Sequence, residues 1–198
     1  MGPRESVAGV DISDGGVAVA YVVPGRDGSL DVTHAGYAEI PGSAKDADIS
    51  GIVRGLWRST GMPTSTVASS LNSGSLLLQY FHYRDLSEDE THSALRLEAE
   101  ESLQVPAKDL LFDWHAMAQR EAKGPRTAAS EGVLVAAPRA AVNQHLAVLA
   151  GAGLYPVILD VGALAVCNLW LHLSAGRAPD DVVFAVNLTR QSAHLVIL

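Results

Sequence analysis

Few residues of this 198-residue chain combine the types and spacing that chemistry demands, and the best set lies near its start. Asp11 falls at the end of the apolar run Val7 to Ile12, and Ser13-Asp14-Gly15-Gly16 leads into a second run, Val17 to Val23. A glycine-rich turn can aim successive backbone amides at an anion, and a carboxylate at a strand end can hold Mg²⁺ through water. Taken alone, an ordinary hairpin in which Asp and Gly serve only turn geometry is the better reading.

Other catalytic signatures are absent. The chain has no G-x-x-x-x-G-K-[ST] phosphate loop and no G-x-S-x-G nucleophile elbow. Its seven histidines never fall in H-x-x-x-H or H-E-x-x-H spacing, so each reads as a surface or sheet-edge residue and not as a zinc ligand. The single Cys167 excludes an internal disulfide and sits in an apolar helical stretch, where packing is its expected role. Gly151-Ala152-Gly153 ends a helix pattern instead of leaving a strand, which rejects it as a dinucleotide fingerprint. A formal charge of −8 argues against a phosphate-backbone binder, so no nucleic acid is expected. Val161 to Leu173 is the most apolar stretch, too short for a membrane span and read as a buried helix. No secretory leader is visible, and a soluble cytoplasmic chain is expected.

The elements that must position Asp11 follow from periodicity. Two strands around the Gly-rich turn and a third over 30–40 spell a meander. Asp48 stands where an N-cap would, and Ile49, Ile52, Val53 and Leu56 then mark one helix face. Val67 to Leu71 is a strand, completing β-β-β-α-β. A second block begins with the strand Leu76 to Tyr83. Ser87-Glu88-Asp89-Glu90 reads as a capping box opening a helix to about Leu103. Strands over 110–117 and 132–137 and a helix from Arg139 complete β-α-β-β-α. The tail holds a short strand over 156–159, Asp160 as cap of the apolar helix, and strands over 182–187 and 193–198. Its last residue is still inside a strand pattern, so the chain reads as cut short.

This order resembles the actin-like proteins with an inserted subdomain, above all the PilM-like proteins of type IV pilus assembly and their type II secretion relatives. The residues that carry the resemblance are Gly9-Val10-Asp11-Ile12, Arg84-Asp85-Leu86-Ser87, and Leu97 to Leu103 running on through Val105 to Trp114. It resumes in Val133 to Arg139 and Ala152-Gly153-Leu154-Tyr155-Pro156 on to Asp160. The fold it implies is α/β, an actin-like (ribonuclease H-like) core subdomain over 1–74 with an inserted β-α-β-β-α subdomain over 75–153. Residues 154–198 return to the core, incompletely, with the opening and closing hairpins expected in one sheet.

The resemblance also implies a site and partners. Asp11, Ser13, Gly15, Gly16, Asn187 and Thr189 fall at its nucleotide-binding turns, with Asp11 meeting Mg²⁺ through water. Tyr80, Phe81 and Tyr83 are the candidates for a groove that holds the cytoplasmic tail of a single-span, PilN-like inner-membrane protein, although plain core of the inserted subdomain is the better reading of the three residues themselves. This sequence departs from the family at those turns. Ala18 falls where a lysine would meet the phosphates, Asp14 adds a negative charge, and Asn187-Leu188-Thr189 replaces the second Asp-x-Gly. The expectation is therefore a non-catalytic adaptor of a pilus or secretion platform, peripheral to the inner membrane, with no cofactor required. A second copy could cover the exposed half-fold face. The alternative is an actin-like ATPase that uses ATP, Asp11 and Mg²⁺.

Overall fold

A computed structural model describes residues 7–26, 28–84, 86–120, 129–174, 182–188 and 193–197. They form two compact units by packing, one of residues up to Asn72 and from Gln144 onward, the other Ser73–Asn143.

The first unit is built on a five-stranded sheet. Strands β1 (Val7–Ser13), β2 (Gly16–Pro24) and β3 (Leu30–Glu39) form the antiparallel meander expected from alternating β-branched residues. Helix α1 (Asp46–Ser59) then crosses back to β4 (Thr66–Leu71), which pairs parallel with β1. Long-range pairing adds β8 (Tyr155–Val161), parallel to β4, giving the order β3-β2-β1-β4-β8. Ala8, Val10, Val17, Val19 and Val67 project from this sheet into a core closed by Val53 and Trp57 of α1 and by Leu149, Ala152 and Leu154.

Residues 77–152 run in the expected β-α-β-β-α order, and the second unit ends inside the last of these helices. Strand β5 (Leu77–Arg84) is followed by α2 (Glu88–Leu103), a single 3₁₀ turn, then β6 (Leu110–Arg120), β7 (Ala129–Pro138) and α3 (Arg139–Ala152). The sheet order is β5-β7-β6, all antiparallel. Phe81, Leu95, Ala99, Leu110, Leu134 and Ala136 make its core against α2. Ser87 caps α2: its hydroxyl accepts the Glu90 amide, and the Glu90 carboxylate takes the Ser87 amide at 2.8 Å. The Ser87 amide, and after it the Ser87 hydroxyl donating to the same carboxylate at 2.7 Å, hold the Glu90 carboxyl below its ordinary pKa.

Several expectations are corrected. The division between the units falls inside α3, ahead of residue 153, because Leu149 and Ala152 on its last turns bury in the first core. Lys45, not Asp48, is the N-cap of α1; Asp48 is the third helical residue, and its carboxylate takes the Lys45 amide at 3.0 Å. Likewise Val161 is the N-cap of α4 (Gly162–Leu173), while Asp160 remains in β8. Helix α4 is not buried: Leu169, Leu171 and Leu173 are exposed. The closing hairpin, β9 (Phe184–Leu188) with β10 (Ala193–Ile197), forms a two-stranded ladder of its own among the described residues and does not join the sheet of the opening hairpin. Its pairing partners are local, whereas β8 occupies the edge of the first sheet next to β4.

Candidate functional site

Strands β1, β4 and β8 run parallel, so their carboxyl ends lie side by side, the position at which open α/β sheets present ligands. The register sets Asp11 opposite Ser70 and Ser70 opposite Asp160. Directly opposed residues share a sheet face, so three polar side chains stand in one row across the strand ends. Helix α4 begins beside them: a Cβ on Gly162 would strike the Asn72 side chain, which places that amide against the first turn of α4.

Asp11 is half-buried and engaged. The Ser70 hydroxyl donates to its Oδ1, and Asn72 Nδ2 donates to the same oxygen at 2.6 Å. The Asn72 amide also lies 3.3 Å from the Ile12 carbonyl. Beside this pair, the Ser69 hydroxyl donates to the Val10 carbonyl at 3.0 Å and stands 2.8 Å from Nε2 of His145 on α3. A serine has one proton to give, so the network assigns the donor role in the second contact to His145 Nε2. Burial lowers the His145 pKa below 6.5, with the Asp11 charge opposing the shift. Ser69, Ser70, Asn72 and His145 were not singled out by spacing. The one local signal is the polar run Ser69-Ser70-Leu71-Asn72 at the end of an apolar strand.

The turn after Asp11 has another use than cradling an anion. The Ser13 hydroxyl donates to the Gly16 carbonyl at 3.2 Å, closing the hairpin. Tyr37 of β3 lies over it and donates to the Gly15 carbonyl at 3.2 Å. A Cβ on Gly16 would meet the outer end of the exposed Tyr37 ring, which would have to turn aside. An amide nest alternates right- and left-handed residues. Among the described residues the glycines with positive φ are Gly28, Gly61 and Gly153, and the turn contains none of them. Ala18, opposite Asp11 on β2, contributes no cation, and Asp14 is exposed at the turn. Among the described residues no ion pair reaches Asp11. This donor set does not fit a triphosphate, whose charge would meet Asp14 without a lysine to offset it. Asn187 lies on β9 opposite His194, and Thr189 lies outside the described residues.

The three tyrosine and phenylalanine candidates on β5 do not share a face, because strand side chains alternate. Phe81 is buried in the second core, stacked with Tyr83 and edge-on to Trp114. Tyr83 turns the same way, its hydroxyl donating to Glu98 of α2. Burial and that carboxylate push its pKa up to about 12. Phe81 is thus a core residue of the second unit, and Tyr83 packs half-buried against that core. Tyr80 points to the opposite face, 56% exposed, with its hydroxyl 2.9 Å from Glu131. Leu78, Val133 and Val135 neighbour it in the register on that outer face, and a His82–Glu131 contact of 3.6 Å flanks it.

A family profile described as type IV pilus assembly protein PilM matches residues 9–198. A search of curated proteins gives no match. Among solved structures, the chain is similar to one described as a PilM-PilN type IV pilus biogenesis complex, with a TM-score of 0.81 and 22% identity. That match covers 99% of this chain and 59% of the other, so this chain spans little more than half of that relative's length. It also resembles the cytoplasmic domain of EpsL, an inner-membrane component of the type II secretion system of Vibrio cholerae. There the TM-score is 0.56 at 12% identity, over 98% of this chain and 71% of that one. The shared fold is the actin-like α/β fold of PilM.

Proposed function

Because this chain belongs to the PilM family of type IV pilus assembly proteins, we propose that it is a non-catalytic adaptor of a pilus or secretion assembly platform. In this reading it holds the cytoplasmic tail of a single-span, PilN-like inner-membrane protein and is peripheral to that membrane through the tail. The observation that carries the reading is the family match across residues 9–198. The PilM of the similar solved structure is described in complex with PilN, which supports the choice of partner. The outer face around Tyr80 and Leu78, with Val133 and Val135 partly exposed beside them, offers apolar surface to such a tail. The non-catalytic part rests on Asp11, whose Oδ1 is taken by Ser70 and Asn72, and on the alanine opposite it. No cofactor is required.

A second reading, an actin-like ATPase using Asp11 and Mg²⁺, draws on one observation: Asp11, Ser70 and Asp160 align at the carboxyl ends of three parallel strands. Two measurements separate the readings. A fluorescent peptide of a PilN-like cytoplasmic tail should bind saturably, and Tyr80→Ala should weaken it severalfold. A folded sample that binds no such tail overturns the adaptor. Millimolar Mg-ATP should leave thermal stability unchanged. A ligand at 100 times its Kd would add about 2.7 kcal/mol; a shift of that size would establish nucleotide binding, and phosphate release from the same sample would then establish the ATPase.

A further inference from the structure

A second site lies in the first unit, at the opposite ends of its parallel strands. Helices α1 and α3 both terminate beside the start of β8, and between them opens a cleft of about 370 Å³ lined by Arg54, Trp57, Arg58, Ser65 and 150–154. That volume is in the range of small-ligand and peptide side-chain pockets. Trp57 and Leu154 are nearly fully buried in the core behind it. The indole is fixed by a bond from Nε1 to the Thr64 carbonyl at 2.9 Å.

Arg54 and Arg58 are one helical turn apart and exposed, so both reach the same side of α1. The ordinary task of arginines at helix ends is to satisfy the last carbonyls. Here that task is largely done by other groups. At the end of α3 the Gly153 amide bonds the Ala150 carbonyl at 2.9 Å and the Leu154 amide bonds Leu149 at 3.0 Å, with Gly153 left-handed at φ 84°. Arg54 takes the Gly151 carbonyl. At the end of α1, amides of Thr60, Gly61 and Met62 and the Thr60 hydroxyl take the carbonyls of Leu56, Trp57 and Arg58. Arg58 is thus left with no hydrogen-bond or ion-pair partner among the described residues, at the mouth of a cleft with an aromatic floor.

We propose that this cleft is a docking site for an acidic peptide segment of a partner protein, whose carboxylate pairs with Arg58 and the outward edge of Arg54 while a neighbouring apolar side chain rests on Trp57. Charge complementarity selects the occupant. In a chain of net charge −8, two guanidiniums at i and i+4 form a local cationic spot that repels basic segments and pairs bidentately with carboxylates. The site uses none of the residues around Asp11 or Tyr80 and does not depend on the adaptor reading.

The test is an NMR titration of the intact 198-residue chain with the peptide acetyl-Glu-Leu-Glu-Glu-Leu-Glu-amide. Saturable shifts should appear at the Gly151 and Gly153 amides and at the Trp57 indole N–H. Arg58→Glu should weaken them tenfold or more, Arg58→Gln by less, and the lysine version of the peptide should give none. Shifts that persist unchanged in both variants overturn the proposal. So does the absence of saturation. Inorganic phosphate shifting the same signals at lower concentration would reassign the cleft to a free anion, and anionic phosphatidylglycerol vesicles alone doing so would reassign it to a membrane surface; either overturns the peptide.

Discussion

Two side chains carry measurable consequences of how they are buried. Thr91 sits on the inner face of α2, fully buried, and its hydroxyl has no partner among the described residues. A buried hydroxyl without a hydrogen bond costs about 1–3 kcal/mol. The isosteric Thr91→Val is therefore expected to raise stability by about 1 kcal/mol, read as a higher urea midpoint with an unchanged slope. His145 has the opposite character, since its bond to Ser69 is made but burial disfavours its charged form. Its folded pKa lies below the ordinary 6.5, so the stability it contributes is complete above pH 6.5 and is lost as pH falls through the folded value. Urea midpoints from pH 8 to pH 5 should show that loss in the parent chain and a shallower one in His145→Asn. Asp11 was legible because a carboxylate at the end of an apolar run before a Gly-rich turn is a local pattern. Its partners Ser70 and Asn72, and the neighbouring Ser69–His145 pair, come together only when β1 pairs with β4 and α3 packs on that sheet.

At the scale of elements, one cap signal read from a few residues held and two were displaced. The capping box of α2 was legible because all of its bonds lie between Ser87 and Glu90. Asp48 and Asp160 have the composition of caps, yet Asp48 accepts the Lys45 amide from the third helical position and Asp160 stays in β8. Gly132 on β7 shows a constraint that only the sheet imposes. It lies between Phe81 and Ala116 on the flanking strands, and a Cβ there would strike the His115 carbonyl oxygen and the Phe81 ring. The carbonyl cannot move without breaking the β6–β7 register, so Gly132→Ala is expected to cost about 1–3 kcal/mol or more. Gly42→Ala, in open space, should change stability by less than about 0.5 kcal/mol. Parallel urea titrations of the two variants check the contrast.

For the molecule as a whole, the distribution of exposed apolar surface is uneven. Phe184, Val186, Leu188, Leu195 and Ile197 occupy alternate positions on β9 and β10, and all five are exposed. Their register makes them one continuous face. A two-stranded ladder is marginal by itself, and a face of this kind favours association in water. Under the proposal that a second copy covers it, sedimentation velocity should show a concentration-dependent dimer, and Val186→Lys with Leu195→Glu should return it to monomer. A monomer at every concentration would refute that proposal. The amino-acid sequence by itself determined the succession of elements, the inserted β-α-β-β-α unit and the position of Asp11, since periodicity, turn chemistry and capping act over a few residues. Only the tertiary structure decided which strands share a sheet, that α3 ends in the first core, that Tyr83 and Phe81 turn inward while Tyr80 turns out, and that Arg58 faces a cleft unpartnered. Those facts depend on contacts between residues far apart in the chain, and local composition does not encode them.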